Sequence, residues 1–191
     1  KKLNIKLDKK SFIINFHPET ANKNGAKVHI KQLLSALDAL KKTNLIFTMP
    51  GADLENKIII NSIRKFCKNK KNAYFFKSLG QINYFSLLKH LDGMIGNSSS
   101  GILEMPFFKK GTINIGDRQS GRLFANSVIS VKIKKKAISS AIKKLLSRNF
   151  KKKIKNNNFM YGPPGASKKI IKILKKTNLT NLEKKNFFDL N

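Results

Sequence analysis

Three consecutive serines, Ser98 to Ser100, stand between two glycines and can offer hydroxyl and backbone donors to an anion. The apolar run at 93–95 before them predicts a short buried strand, and the largely apolar run at 102–108 after them predicts a short helix. The first N–H groups of a helix lack partners within it and carry partial positive charge. A strand that turns through small residues into a helix is therefore a candidate phosphate site.

Two charged side chains near these serines extend the chemistry from a phosphate to a nucleotide. Glu104 comes one helical turn later, and a carboxylate can accept two hydrogen bonds from the diol of a ribose. Arg118 follows a second predicted strand at 112–115 and can give the same phosphates a fixed cation. Only four of the 40 basic residues are arginine, and two of them, Arg118 and Arg122, share one loop. This placement favours a specific role for the loop.

Each of these features also has a simpler structural interpretation. Serines at a strand–helix turn commonly act only as caps, and an acid in a first helical turn commonly complements the helix macrodipole. The combination favours a nucleotide site, but the residue types alone leave both interpretations open.

The rest of the chain alternates apolar and polar segments, which predicts the frame for this site. Strands are predicted at 11–16, 45–49, 73–76, 93–95, 112–115 and 128–131, and helices at 25–40, 58–66, 83–91, 102–108, 137–146 and 166–174, with a polar loop at 151–158. Such alternation predicts an α/β fold, a doubly wound parallel sheet of the Rossmann-like type with right-handed crossovers. His17 follows the first strand, at the sheet edge where ligands collect.

The net charge of +30 is the most unusual feature of the composition. A basic surface can serve nucleic acid or an anionic membrane. The lysine-rich runs at 132–136 and 151–155 lack the interleaved arginine and aromatic residues that nucleic-acid surfaces favour. Nucleic acid is therefore an unlikely partner, and the charge can help to attract an anionic substrate.

The sequence also bounds the compartment and the domain organisation. Cys67 is the only cysteine, so no disulfide can form within the chain. Because no signal peptide or long apolar segment is evident, we expect a cytoplasmic location and no membrane contact. We expect one nucleotide-binding domain at 1–176, a polar tail at 177–191, and neither a metal site nor a cofactor. The chain opens on Lys1 rather than Met, so we expect a fragment.

Two motifs together resemble the signature of the hydrolysing UDP-N-acetylglucosamine 2-epimerases, which open sialic-acid-type sugar synthesis. They are GNSSSGILEMP at 96–106 and INIGDRQSGR at 113–122. Three weaker segments, at 17–20, 49–53 and 161–162, are similar to further landmarks of that family. All five come in the family's order and cover roughly residues 11 to 175.

The resemblance implies the C-terminal, nucleotide-holding half of a two-domain sugar-nucleotide enzyme of GT-B-like architecture. In that family the matching serines, Ser98 and Ser99, bind the diphosphate. Glu104 matches the acid that binds the ribose, and Arg118 matches the arginine that binds phosphate. Leu79, at the end of the strand that starts near Ala73, matches a position whose backbone reads the uracil.

His17 matches a histidine implicated in the catalytic site of the family. The implied reaction is anti-elimination of UDP, which leaves a 2-acetamidoglucal, followed by hydration to N-acetylmannosamine. The family's catalytic carboxylates belong to the N-terminal domain, so the resemblance implies that this chain alone is inactive. It also implies a UDP-sugar substrate and a homo-oligomer for the full-length protein.

Two local departures from the family pattern lie near the predicted nucleotide. Gly51 stands where an asparagine is usual, and residues 163–165 replace the usual Asp-Gly-Asn. One alternative is the donor-binding half of a GT-B-type glycosyltransferase, which uses the same phosphate site. A second is a basic nucleic-acid-binding protein. Whether the nucleotide is UDP or GDP stays open.

Overall fold

The computed structural model of the chain describes residues 5, 7, 10–19, 25–156, 159–178 and 180. The chain divides into two compact units, residues 1–160 and residues 161–191. The predicted tail at 177–191 falls almost entirely outside the described residues. The domain boundary expected at residue 176 stays a prediction.

A parallel sheet of six strands is the centre of the first unit. The strands are β1 (Lys10–Asn15), β2 (Thr43–Thr48), β3 (Ala73–Phe76), β4 (Gly93–Gly96), β5 (Gly111–Ile115) and β6 (Val128–Val131). Their order across the sheet is β3-β2-β1-β4-β5-β6, and every neighbouring pair is parallel. This is the strand order of a doubly wound sheet whose direction of winding reverses between β1 and β4. The predicted fold class is confirmed.

Helices cover both faces of the sheet. They are α1 (Ala26–Leu37), α2 (Asn56–Lys68), α3 (Gly80–His90), α4 (Ser100–Leu103), α5 (Lys135–Leu146) and α6 (Arg148–Lys153). Side chains alternate along β1, so that Phe12 and Ile14 face the core with α1, α2 and α5, whereas Ile13 faces the core with α3. Burial of the inner strands on both faces explains why they read as continuous, mainly apolar runs.

The prediction of a polar loop at 151–158 was wrong. Most of this segment is helical, in α6 and in the 3-10 turn Ile154–Asn156, while residues 157 and 158 lie outside the described part of the chain. The Ser147 Oγ caps α6 by accepting from the backbone N–H of Phe150 at 3.3 Å. Phe150 and Ile154 lie one turn apart and are buried in the core. Two apolar anchors thus hold a helix that its lysines conceal in the sequence.

The helix predicted at 102–108 is broken in two. The α4 helix makes a single turn and is followed by the 3-10 helix Met105–Phe108. Pro106 lies at the start of that second helix. Because proline has no N–H, it cannot continue the α-helical hydrogen-bond ladder. The break places Glu104 at the junction of the two helices.

Leu79 also lies elsewhere than expected. The strand β3 ends at Phe76, and Leu79 is the N-cap residue of α3, which begins three residues earlier than the predicted Asn83. Its side chain is buried, and its carbonyl accepts from the Asn83 side chain at 3.0 Å.

The second unit contains helix α7 (Ala166–Lys176), close to the predicted 166–174. Every residue of α7 is exposed, including Ile170, Ile173 and Leu174. In the described part of the chain, the helices are all too short or too polar to cross a membrane.

Candidate functional site

The carboxyl edge of the sheet, around the reversal between β1 and β4, collects the predicted site residues. His17 follows β1, and the segment 49–53 follows β2. Ser98 and Ser99 follow β4, and Arg118 follows β5. Ligands of open parallel sheets bind at this crevice, because the loops there diverge to opposite faces. Because the neighbouring strands are all parallel, these loops share one edge of the sheet.

The buried side chain of Asn97 joins two of these loops. Its Oδ1 accepts from the His17 backbone N–H at 2.7 Å, and its Nδ2 donates to the His17 carbonyl at 2.9 Å. This pair of hydrogen bonds fixes the backbone of His17 at the end of β1. The carbonyl of Asn97 accepts from Gln119 Nε2 at 2.8 Å and from Arg118 Nη1 at 3.3 Å. Asn97 therefore positions residues from two other loops, those after β1 and β5.

Gly96 makes this close approach possible. Its φ of +150° suits glycine, and a Cβ there would collide with the carbonyl of Asn15 in β1. Without a side chain at this position, the turn after β4 can lie directly against the end of β1. Only then can the Asn97 amide reach the His17 backbone.

The His17 imidazole, the Asp53 carboxylate and the Arg118 guanidinium form a charged cluster beside Asn97. One carboxylate oxygen, Asp53 Oδ2, lies 3.4 Å from His17 Nδ1 and 4.0 Å from Arg118 Nη2. Burial lowers the pKa of His17, the Arg118 charge lowers it further, and Asp53 partly offsets both. The imidazole therefore favours its neutral form, which can accept a proton.

The loop that carries Arg118 is anchored from beneath by a buried acid. Glu19, two residues after His17, accepts from the Asp117 backbone N–H at 2.8 Å. Gly116 has a φ of +78°, and a Cβ there would collide with Glu19 Oε1. These contacts hold the backbone next to Arg118 in place. A ligand would therefore be met by a movement of the Arg118 side chain.

The serines form the turn into α4 but make few capping bonds. Ser98 Oγ accepts from the Ser100 N–H at a long 3.4 Å. Ser99 is the N-cap residue, and its side chain makes no capping bond with any described residue. The purely capping interpretation of the serines therefore finds little support. Their role in binding diphosphate stays a prediction.

Glu104 belongs to a chain of polar contacts. Its Oε2 accepts a hydrogen bond from Ser100 Oγ, which in turn lies 2.5 Å from the Tyr84 hydroxyl. Burial raises the pKa of Tyr84 to about 12, so the hydroxyl stays protonated and can donate. These two hydrogen bonds, from Tyr84 to Ser100 and from Ser100 to Glu104, fix the orientation of the Glu104 carboxylate.

An open cleft of about 450 Å³ lies beside this polar chain, and we call it the nucleoside cleft. Leu79, Tyr84 and Glu104 line it, together with Asn15, Thr48, Met49, Lys77, Ser78, Gly80, Gln81 and Phe85. Asn15 Oδ1 and Thr48 Oγ1 are buried there and have no hydrogen-bond partner among the described residues. Buried polar atoms are nearly always paired in native proteins. Two such atoms beside one cleft make part of its wall polar.

The structure thus brings the predicted residues together in two groups. His17 and Arg118 share Asp53, whereas Leu79 and Glu104 line the nucleoside cleft. The turn 97–100 connects them, because Asn97 contacts the first group and Ser100 the second. In the described part of the chain, no three His, Cys, Asp or Glu side chains are grouped so as to hold a metal ion.

Comparison with known proteins decides the family. The family model for UDP-N-acetylglucosamine 2-epimerase matches residues 1–175. The chain belongs to this 2-epimerase family. A GDP/UDP-N,N'-diacetylbacillosamine 2-epimerase (hydrolyzing) of Campylobacter jejuni is 46% identical over 100% of the chain, which covers 50% of that protein. The polysialic acid biosynthesis protein P7 of Escherichia coli is 36% identical over 96% of the chain, which covers 47% of it.

Solved 2-epimerases share the fold of the chain. The Methanocaldococcus jannaschii UDP-GlcNAc 2-epimerase, solved in complex with UDP-GlcNAc and UDP, superposes with a TM-score of 0.64 at 15% identity, over 87% of this chain and 45% of that one. The chain therefore spans about half the length of the relatives that it matches.

Sequence reasoning missed four residues of the site. Asp53 ends a segment similar to a landmark of the 2-epimerase family, but we had not expected its carboxylate beside His17. Asn97 and Gln119 lie inside the two signature motifs, in which the sequence suggested roles only for the serines, Glu104 and the arginine. Tyr84 sits on α3 and carries no motif, so only the fold could bring it to Ser100.

Proposed function

We propose that this chain is the nucleotide-binding, C-terminal half of a hydrolysing sugar-nucleotide 2-epimerase whose substrate is a UDP-linked 2-acetamido sugar. The single observation that carries the proposal is the pair of groups at one sheet edge. The charged cluster suits a diphosphate and the sugar next to it, and the nucleoside cleft suits the uridine. A nucleotide–sugar substrate requires both, side by side.

In this proposal each described residue has a defined task. Ser98, Ser99 and Arg118 bind the diphosphate, and Glu104 accepts hydrogen bonds from the ribose. The Leu79 backbone reads the uracil. His17, next to Arg118, lies at the sugar end of the ligand and transfers a proton during the reaction.

The reaction is an elimination followed by a hydration. A base removes the proton on C2, the C1–O bond breaks, and its electron pair leaves with UDP. Water then adds to the resulting 2-acetamidoglucal with inverted stereochemistry at C2. Negative charge grows on the diphosphate as the C1–O bond breaks, so donors and a cation aimed at it lower the barrier. The remaining carboxylates of the reaction come from the other half of the protein.

The sugar has two candidates within this class. UDP-N-acetylglucosamine is the substrate named for the family and for several of the solved structures. The 46% identical relative of Campylobacter jejuni is named for a diacetylated sugar instead, which makes UDP-N,N'-diacetylbacillosamine the second candidate. A homo-oligomer and a cytoplasmic location are predictions for the full-length protein.

The decisive experiment offers both UDP-sugars to the full-length protein and to the 191-residue chain. UDP release is followed by a coupled assay, and the product sugar is identified by NMR. We expect the full-length protein to release UDP together with a free sugar inverted at C2, and the isolated chain to bind UDP weakly and form no product. Sugar transfer to an acceptor would favour the glycosyltransferase alternative. Tight oligonucleotide binding with a steep salt dependence would favour the nucleic-acid alternative.

A further inference from the structure

One carboxylate oxygen in the charged cluster lies near two side-chain nitrogens at once. Asp53 Oδ2 lies near both His17 Nδ1 and Arg118 Nη2, at 3.4 and 4.0 Å. The distance to Arg118 is at the limit of an ion pair, and both of these charged side chains are about one-third exposed. Such a contact is weak and exchanges readily for a better partner.

His17 Nδ1 likewise has two alternative partners. The Gly51 backbone N–H points at it from 3.4 Å, and Asp53 Oδ2 lies at the same distance. An unprotonated Nδ1 can accept from Gly51, whereas a protonated Nδ1 can donate to Asp53. The strength of Asp53 as an acceptor therefore decides which tautomer His17 adopts.

We propose that Asp53 is the positioning residue of His17. When Arg118 binds an anion, its contact with Asp53 is lost, and the Asp53 carboxylate then interacts with His17 alone. The inference rests on the proposed diphosphate ligand. A diphosphate offers Arg118 shorter, charge-assisted bonds than the 4.0 Å contact to Asp53. Once Arg118 turns to the phosphates, Asp53 draws the proton to His17 Nδ1. Nε2 is then left to accept a proton at the sugar.

The surrounding groups are compatible with this coupling. Asp53 and Arg118 are the charged groups that act on the imidazole. On its own segment, Glu19 is engaged with the Asp117 amide of the loop after β5. From the turn after β4 comes Asn97, which binds the His17 backbone and does not titrate. Arg118 holds the pKa of His17 down and Asp53 holds it up, so removing Arg118 from the cluster should raise it.

The test is a side-chain ¹H–¹⁵N NMR titration of the 191-residue chain, which contains three histidines. His29 and His90 serve as internal references, and substitution to Gln assigns each signal. In the free chain Arg118→Gln should raise the pKa of His17 and enrich its Nδ1–H tautomer, with no ligand present. Saturating UDP, or inorganic pyrophosphate, should do the same to the wild-type chain. Asp53→Asn should lower the pKa of His17 and abolish the tautomer change caused by UDP.

The matched control is Asp38→Asn, which removes one carboxylate at the opposite sheet edge, where Asp38 pairs with Lys70. It should leave the His17 signals unchanged. If Arg118→Gln leaves both the pKa and the tautomer of His17 unchanged in a folded chain, the proposal that His17 and Arg118 compete for the Asp53 carboxylate is refuted. Should Arg118→Gln fail to fold, UDP that binds to the wild-type chain without enriching Nδ1–H would refute the proposal equally. A failure of UDP to bind, with the expected effect of Arg118→Gln, would count against the proposed nucleotide alone.

Discussion

The charged cluster and the nucleoside cleft lie at the same sheet edge but are organised by opposite means. In the cluster, Asp53 Oδ2 lies at long contact distances from both His17 and Arg118, and the Asp53 and Arg118 side chains are about one-third exposed. Beside the cleft, Tyr84, Ser100 and Glu104 are joined by short hydrogen bonds. Loose ion pairs can be exchanged for a ligand, whereas a short hydrogen-bonded chain keeps its geometry.

This difference matches what each region would have to do. The leaving diphosphate changes its charge during the reaction, so its site profits from groups that can respond. The ribose and base keep their charge, so their site profits from a fixed shape and fixed acceptors. Variants in the charged cluster should therefore lower turnover, whereas variants beside the nucleoside cleft should mainly weaken the binding of UDP.

His17→Ala in the full-length protein should give the largest effect. We expect turnover to fall by roughly 10²–10⁴-fold, because a positioned proton-transfer group contributes about that much. The affinity for UDP should stay within about threefold, since the proposed complex has the imidazole beyond the phosphates. Steady-state kinetics and calorimetry measure the two quantities. His90→Ala, an exposed histidine on α3, is the control. A loss confined to UDP affinity would remove His17 from the chemistry.

Arg118→Ala should come next and should affect both quantities. Loss of the guanidinium should lower turnover by about 10²–10³-fold, as the loss of a donor to a developing oxyanion does, and should weaken UDP as well. Arg148→Ala, an exposed arginine of α6, is the matched control. If turnover falls no further than the affinity does, Arg118 contributes to substrate binding but gives the transition state no additional stabilisation.

Glu104→Gln tests the other region by its selectivity. A carboxylate that binds the ribose loses charge-assisted hydrogen bonds on this change, which costs UDP roughly 1–3 kcal/mol of binding free energy. Pyrophosphate has no ribose and should bind almost as before. Isothermal calorimetry with both ligands gives the comparison, with Asp38→Asn as a control for the loss of one charge. Equal losses for both ligands would restrict Glu104 to its contact with Ser100.

Tyr84→Phe should have a smaller effect in the same direction. The change removes the hydroxyl that lies 2.5 Å from Ser100 Oγ, and one neutral hydrogen bond is worth about 0.5–1.5 kcal/mol. We expect UDP to bind a few-fold more weakly while pyrophosphate is unaffected. Tyr74→Phe in β3 is the matched control. An unchanged affinity for UDP would mean that Ser100 alone orients Glu104.

The pH dependence of folding should show the smallest effect. Because the folded pKa of His17 lies below its ordinary value of 6.5, the unfolded chain binds the proton more tightly. The free energy of unfolding should therefore be highest above pH 6.5 and fall as the pH drops below it. Urea denaturation at a series of pH values, for the wild type and His17→Gln, isolates the part of this fall that is due to His17. A slope equal in both chains would contradict the lowered pKa.

The sequence predicted the fold and the place of the site more fully than the internal contacts of the site. Periodicity located the six strands that the structure describes because each reads as a short, mainly apolar run, and β2, β4 and β5 are buried on both faces. It missed α6, whose three lysines conceal the buried Phe150 and Ile154. It also missed the break at Pro106, where an apolar run continues through a change of helix type.

Contacts between distant segments could not be predicted in the same way. Asp53 meets His17 because β1 and β2 pair in one register, and nothing in the residue types fixes that register alone. Tyr84 meets Ser100 because α3 packs beside the turn after β4. Both contacts depend on packing across the sheet, which a single sequence states only indirectly.

The most direct test of the two-region account is a crystal structure of the 191-residue chain with UDP. The account predicts the diphosphate within hydrogen-bond distance of Ser98, Ser99 and Arg118, and the ribose on the Glu104 carboxylate in the nucleoside cleft. It also predicts that Arg118 has left Asp53 for the phosphates, while Ser100, Glu104 and Tyr84 stay unmoved. UDP bound with its diphosphate away from Arg118, or with its ribose outside the cleft, would contradict the account.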